Sequence, residues 1–125
     1  MITNDTIWAE KQTPITVTAE TTTITLQDGI SLYQINVGST DTELAFSTSA
    51  ISAALTGGGF NIITFELLVV MGSTVQTIEF PETIDWLDNI PPTMNAANKT
   101  YLIMFRSYDG GNTWIGAPEG SWNNA

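Results

Sequence analysis

The chain has 125 residues, a length that suits one domain built around one hydrophobic core. Its 13 acidic and three basic residues give a formal net charge of -10, which opposes the phosphate contacts that nucleic-acid binding requires. The absence of both cysteine and histidine excludes disulfides, thiolate metal sites and the commonest general base, so much of enzyme chemistry is closed to the chain.

The first 14 residues are predicted to form an extended arm ahead of a single domain at residues 15–125. The arm is polar except for the apolar pair Ile7 and Trp8, which we take as its candidate anchor. The residues after Met1 lack the basic and apolar stretches of a secretory signal, so assembly in the cytoplasm is expected. No apolar run is long enough to span a bilayer, and no membrane partner is expected.

Alternation of apolar and polar residues begins after the arm. Residues 15–20 and 22–26 each place every second side chain on one face, which is typical of a half-buried strand. Asp28 and Gly29 follow, and both tolerate the positive φ that a two-residue hairpin loop needs. The sequence therefore predicts a hairpin between the strand at 22–26 and the next strand at 30–37.

The middle of the chain contains the segment most typical of a strand. Residues 60–71 are almost continuously apolar, and we expect them to form the central strand, buried on both faces or lying in an interface. Residues 43–55 are ambiguous, because their first half alternates like a strand whereas the second half fits a helical turn.

The last third of the chain is predicted to hold two further strand regions. A strand at 74–80 ends at Pro81, which lacks a backbone donor, and an ordered loop over residues 81–99 surrounds Trp86. A final hairpin then joins residues 100–108 to residues 113–117.

Strand-like segments separated by turn signals every 8 to 12 residues or so are typical of a sandwich or barrel. The predicted fold class is all-β, an antiparallel β-sandwich of jelly-roll-like form with an extended N-terminal arm.

The most specific local motif lies in the final hairpin. Its fixed positions are Ser107, Asp109, Gly111, Thr113 and Trp114. They are similar to the Asp-box pattern Ser-x-Asp-x-Gly-x-Thr-Trp of sialidase-like propellers, where the motif is architectural. A sialidase needs several blades and an arginine cluster, whereas this chain has one arginine. The motif therefore predicts a tight turn and no catalytic residue.

Acidic side chains near Trp86 raise two other possibilities. Asp85 and Asp88 could form the carboxylate pair of a glycosidase, as could Glu79 and Glu82 around Pro81. Hard oxygen ligands for calcium could come from Asp85, Asp88 and Asn89, or from Asp109 and Asn112. Acids in turns more often cap backbone donors or remain solvated, and no EF-hand spacing is present. We expect no catalytic site, no metal and no cofactor.

Two further features concern surfaces. Glu66 interrupts the apolar segment, so it either faces water or pairs with Lys99 or Arg106 of a neighbouring subunit. Aromatic rings can stack on sugars, and the candidate contacts with a glycan or partner are Trp86, Tyr108 and Trp122. Core packing is the alternative for each ring.

The residues from Ile78 to about Trp122 resemble a module that recurs in bacteriophage virion proteins, at the ends of tail-fibre, head-fibre and similar polypeptides. The matching elements are Phe80-Pro81, Ile84-Asp85-Trp86, Pro91-Pro92-Thr93, the strand at 101–105, and the hairpin at 109–114. The chain departs from the module in its acidic Asp85 and Asp88 and in the tail that follows Trp114.

The resemblance implies a β-sandwich that assembles symmetrically, often as a homotrimer, on a virion surface or fibre. No catalytic residue is carried over, because the module's motif is structural. The expected function is that of a virion structural protein, a head fibre, capsid decoration or fibre-tip subunit, with other virion proteins as partners. The alternative is a carbohydrate-binding or receptor-binding module that uses exposed aromatic rings on a host surface glycan.

Overall fold

A computed structural model describes residues 10–51 and 62–124 of the chain. In chain order the strands are β1 (Glu10–Lys11), β2 (Ile15–Thr16), β3 (Thr21–Gln27), β4 (Ile30–Asn36), β5 (Thr42–Ala50), β6 (Ile63–Val70), β7 (Ile78–Glu79), β8 (Ile84–Trp86), β9 (Lys99–Ser107) and β10 (Trp114–Asn123). One 3-10 turn, Leu87–Asn89, follows β8. Within the described ranges no helix has the length and apolarity that crossing a bilayer requires.

The strands form two sheets. Sheet A has the order β1-β4-β6-β9-β10-β8, with β2 also beside β4, and sheet B has the order β3-β5-β7. One face of each sheet is buried against the other sheet, as the alternating burial of β3 and β6 shows. The predicted all-β, sandwich-like fold is confirmed.

The direction of strand pairing differs from the prediction. Between β1 and β8 the chain moves repeatedly from one sheet to the other, so consecutive strands are not neighbours. As a result β3, β5 and β7 pair in parallel in sheet B, and β4 pairs in parallel with β2 and β6 in sheet A. Antiparallel pairing is confined to β6 with β9 and β9 with β10. The antiparallel, jelly-roll-like part of the prediction is therefore wrong.

The predicted hairpin at Asp28 and Gly29 is also wrong, because β3 and β4 lie in different sheets. The turn, with Gly29 at φ 80°, carries the chain across the core as an arch. Tyr33 fastens this arch, since its hydroxyl accepts a hydrogen bond from the Gln27 N–H at 2.8 Å and donates one to the Ile30 carbonyl at 3.3 Å. A turn sequence that permits positive φ serves an arch as well as a hairpin, and the local pattern does not distinguish them.

An aromatic cluster fills one end of the core. Phe46 of sheet B packs edge-on against three rings of sheet A, those of Phe65, Phe105 and Trp114, at centroid distances of 5.1, 5.0 and 5.5 Å. Aliphatic residues fill the rest of the space, including Ile24 and other buried side chains of β3 and β4. This core holds β9 and β10 against sheet B.

The predicted central strand is correct in place, since β6 lies between β4 and β9. It is buried on one face only: Phe65, Leu67 and Val69 are inside, whereas Glu66 is exposed and Leu68 is half-buried on the outer side. The ambiguous region at 43–55 is a strand as far as Ala50, and residues 52–55 lie outside the described part.

Both ends of the chain contribute to sheet A. In the predicted arm, Glu10 and Lys11 form β1 and the Gln12 N–H bonds to the Leu32 carbonyl at 2.9 Å. At the other end, the expected tail after Trp114 is the body of β10, which pairs with β9 as far as Asn123.

Candidate functional site

The C-terminal elements that resemble the virion module lie side by side. Strand β10 pairs with β9 on one edge and with the short strand β8 on the other. The turn at residues 108–113, the Trp86 region and the strand at 101–105 therefore form one continuous structure at the end of sheet A.

The turn between β9 and β10 is held by its own side chains. The Ser107 hydroxyl donates to Asp109 Oδ1 at 2.8 Å and accepts from the Gly111 N–H at 2.8 Å. Asp109 accepts from the Thr113 N–H at 2.9 Å and from the Thr113 hydroxyl at 2.7 Å. The carboxylate therefore replaces backbone partners that the turn lacks.

These bonds fix the charge state of the turn. Hydrogen bonds from the Thr113 N–H, the Thr113 hydroxyl and the Ser107 hydroxyl lower the pKa of Asp109 from its ordinary value of 3.8 to about 2. Asp109 is thus a weak base, and its oxygens are already occupied, which suits a structural role and opposes a catalytic one.

Two residues connect the turn to the core. Trp114 is buried and contacts Phe65 at a centroid distance of 5.3 Å. Gly111 has φ 96°, and a Cβ at this position would lie 2.7 Å from the Thr48 methyl group of β5. The glycine thus allows both a left-handed backbone and close contact with the opposite sheet.

Trp86 is packed rather than displayed. Its ring contacts Phe80 edge-on at 5.1 Å and Phe105 at 5.9 Å. It also covers Gly116, the residue opposite it on β10, where a Cβ would lie 2.6 Å from the ring. A half-buried ring held on three sides offers little surface for stacking on a sugar.

The three candidate glycan contacts do not converge. Tyr108 is 48% exposed, and its hydroxyl accepts a 3.2 Å hydrogen bond from Arg106. Trp122 is 47% exposed and pairs with Thr100 at the opposite end of β9, roughly 25 Å from Tyr108 at the usual rise of a strand. Trp86 packs towards the core side of sheet A, so the three rings do not form one sugar-binding platform. The candidate anchor residues Ile7 and Trp8 lie outside the described part.

Of the acids that raised enzymatic or calcium readings, Asp85 belongs to strand β8 and Asp88 to the 3-10 turn that follows it. Asp88 and Asn89 adopt left-handed backbone at φ 57° and 58°, a conformation that Asp and Asn tolerate better than most residues. Asp85 and Asp88 are both exposed. Among residues 10–51 and 62–124, no group of three or more acidic side chains could hold a metal ion.

An acidic cleft of about 370 Å³ lies elsewhere, beside sheet B. Its lining includes Glu20, Asp41, Glu43 and Glu79. Asp41 accepts a 2.7 Å hydrogen bond from the Thr77 N–H and so joins the start of β5 to the start of β7. The acids here border a strand edge and add to the negative surface.

Sequence reasoning missed two positioning residues. Gly116 leaves room for the Trp86 ring. The only signal in the sequence is its position two residues after Trp114. Asn124 donates to the Met71 carbonyl at 3.0 Å and accepts from the Thr100 hydroxyl, which fixes the end of β10. Nothing in the local pattern of Asn124 signals these distant partners.

Comparison of the chain with protein-family models, curated proteins and solved structures finds no match. What the chain does is therefore inferred from its own residues and geometry. The geometry shows a turn held by its own side chains and a tryptophan packed over Gly116 at the end of sheet A.

Proposed function

We propose that this chain is a bacteriophage virion structural protein, a head fibre, capsid decoration or fibre-tip subunit that acts by assembly and surface display. The observation that carries the proposal is that the residues that resemble the virion module converge on one continuous part of sheet A. Trp86 sits over Gly116 while Asp109 closes the adjoining turn. The residues that match a structural module therefore have structural roles in this fold.

The chemistry of the chain supports assembly over catalysis. The most perturbed carboxylate, Asp109, is occupied by hydrogen bonds from Ser107 and Thr113. The lack of cysteine and histidine makes the fold insensitive to redox change and to the pH range in which histidine titrates. These properties suit a particle that is exposed to varied surroundings outside a cell.

The glycan-binding alternative has no specific contact in its favour. Its three candidate rings are divided between a packed position at Trp86 and two separate exposed positions at Tyr108 and Trp122. Binding of a host glycan by an assembled particle is compatible with the proposal, but it does not follow from these rings.

The test is to locate the chain on particles. Antibodies raised against the purified chain would be used for gold labelling and quantitative mass spectrometry of gradient-purified virions of the phage that encodes it. We expect a fixed copy number per particle and labelling at a defined place.

A replication protein of the same phage serves as the control for contamination during particle purification. Recovery of the chain only in the soluble lysate, at the level of that control protein, would overturn the proposal.

A further inference from the structure

We propose that the outer face of sheet A is the surface through which copies of this chain associate with one another. The inference rests on the assembly role proposed above and assigns that role to a particular surface. The surface is defined by Leu32 of β4, Leu68 and Val70 of β6, Leu102 and Met104 of β9, and Ile115 of β10. It is called the apolar outer face below.

These six side chains lie on four adjacent strands of sheet A. Leu68 lies opposite Leu102, whereas Met104 and Leu32 both lie beside Glu66. All six are half-buried and lie among polar residues of the same face.

The outer face of sheet B provides the comparison within the same molecule. Its outward positions include Thr21, Thr23 and Thr25 of β3 and Glu43 of β5, and all four are exposed. A sheet that faces water on one side is expected to carry such polar residues there. Sheet B follows this rule, whereas the outer face of sheet A places six apolar side chains among its polar ones, which supports the proposal that a partner covers sheet A.

The size of the face suits association between copies. Four neighbouring strands at about 4.8 Å spacing and four rows at about 6.8 Å give the whole outer side of these strands roughly 500 Å² per copy, of which the six apolar residues occupy about 200 Å². Two such faces together bury about 1,000 Å², the lower bound for a specific protein interface.

Charge favours a second copy of this chain as the occupant. The whole chain has a net charge of -10, so two copies repel over most of their surfaces. On the outer side of sheet A the described charged side chains of β6, β8 and β9 are Glu66, Asp85 and Arg106, which sum to -1, far less than the charge of the whole chain. Glu66 has no ion pair or hydrogen bond with another described side chain, whereas Arg106 bonds to Thr64 and Tyr108. Rotational symmetry would bring Glu66 of one copy towards Arg106 of the next.

The first test compares matched charge insertions on the two outer faces. Leu102→Arg places a charge in the centre of the apolar outer face, and Thr25→Arg places the same charge on the outer face of sheet B. Oligomeric mass is measured by light scattering and native mass spectrometry from about 1 µM to 1 mM, the usual range for weak to moderate affinities. We expect an oligomer for the wild type and Thr25→Arg, and self-association about 30-fold weaker or more for Leu102→Arg.

A charge exchange keeps the proposal testable if Leu102→Arg fails to fold, which loss of the near-ultraviolet signal of the buried Trp114 would reveal. Glu66→Arg and Arg106→Glu are each expected to weaken association about tenfold, and the double exchange to return it to within about threefold of wild type. Because Glu66 and Arg106 are also diagonal neighbours within one copy, the unfolding free energy of each variant is measured beside its self-association, and a change confined to association assigns the pair to the interface.

Three results would overturn the proposal: a wild-type monomer over the whole concentration range, an oligomer that withstands Leu102→Arg, or a double exchange no tighter than the singles. Its failure is distinct from failure of the proposed function. If the chain is found on virions but its self-association is unchanged by Leu102→Arg, the proposed function stands and the proposed surface is wrong. If the chain associates through this surface but is missing from particles, the surface stands and the proposed function is wrong.

Discussion

Single residues in this protein act mainly by fitting into close contacts. Gly116 and Gly111 each occupy a place where a Cβ would meet a neighbouring side chain, Trp86 in one case and Thr48 in the other. Asp109 acts differently, since its charged form is what the turn binds. The role of the glycines is tested by adding side-chain volume, and the role of Asp109 by changing its protonation.

Gly116→Ala is expected to lower the free energy of unfolding by about 1–3 kcal/mol, because the added methyl group overlaps the Trp86 ring. Urea unfolding followed by tryptophan fluorescence measures the change. The control is Gly38→Ala, where the nearest atom is the Val17 carbonyl oxygen at 3.8 Å and a change within about 0.5 kcal/mol is expected. Equal effects at both positions would contradict the seating of Trp86 on Gly116.

Asp109→Asn is expected to destabilise the turn in a pH-dependent way. The pKa of Asp109 is lowered from 3.8 to about 2 in the folded chain, so its stabilising contribution is present above pH 3.8 and is lost as pH falls through about 2. The unfolding midpoints of wild type and variant should therefore converge between these pH values.

Asp85→Asn serves as the control for Asp109→Asn, because Asp85 is an exposed carboxylate that accepts no side-chain hydrogen bond from the described residues. A constant gap between wild type and Asp109→Asn down to pH 2 would show that the charge of Asp109 is irrelevant to the turn.

At the scale of strands and turns, the sequence predicts which face of a strand is buried but does not predict which strands pair with each other. Alternation in β3 correctly indicates which side chains are inside, because the period of a strand is local, whereas the almost continuously apolar sequence of β6 gives no such indication. Parallel pairing of β3 with β5 is decided by contacts between segments distant in sequence, and neither strand carries a local mark of it. The final hairpin was predictable because β9, its turn and β10 are contiguous and Asp109 builds the turn from within.

The residues of the candidate site also differ in whether the local sequence predicts their positions. The residues of the turn could be read from one eight-residue pattern, from Ser107 to Trp114. The packed position of Trp86 could not, since it depends on Gly116 of another strand and Phe80 of a preceding segment.

Tyr33→Phe tests the arch between β3 and β4. Removal of the hydroxyl leaves the Gln27 N–H without its acceptor, and a loss of about 1–3 kcal/mol in unfolding free energy is expected. Thermal and urea unfolding measure it, with Tyr108→Phe as the exposed control. A loss no larger than that of the control would show that the phenol does not fasten the arch.

The same tyrosine gives an alkaline prediction. Burial raises the pKa of Tyr33 above its ordinary 10.0, against a smaller lowering by the Gln27 N–H. The neutral phenol contributes its full share of the unfolding free energy below pH 10.0. This contribution is lost as pH rises towards the pKa of Tyr33 in the folded chain. Wild type should lose stability above pH 10.0 more steeply than Tyr33→Phe, as measured by urea unfolding at stepped pH.

The molecule as a whole has two unlike surfaces. Acids such as Glu20, Glu43 and Glu79 cluster around sheet B, whereas the outer side of sheet A carries Arg106 together with Glu66. In the proposed association, repulsion between copies is long-range, whereas attraction is short-range and apolar.

Self-association is accordingly expected to strengthen as salt is raised from about 10 mM to 200 mM, because the screening length shortens from about 30 Å to less than 10 Å. Sedimentation velocity at fixed protein concentration measures the change. Weaker association at the higher salt concentration would mean that ion pairs, rather than apolar contact, hold the copies together.

The position of β6 between β4 and β9 has a consequence for the making of the protein. During synthesis β6 can join β4 as soon as it emerges, but its other edge waits for β9, whose first residue is Lys99. At about 5–20 residues per second, the ribosome leaves that edge open for roughly 1.5–6 s. For this interval the most apolar strand of the chain offers unpaired backbone to any neighbouring nascent chain, so yield should depend on how fast translation proceeds between Val70 and Lys99.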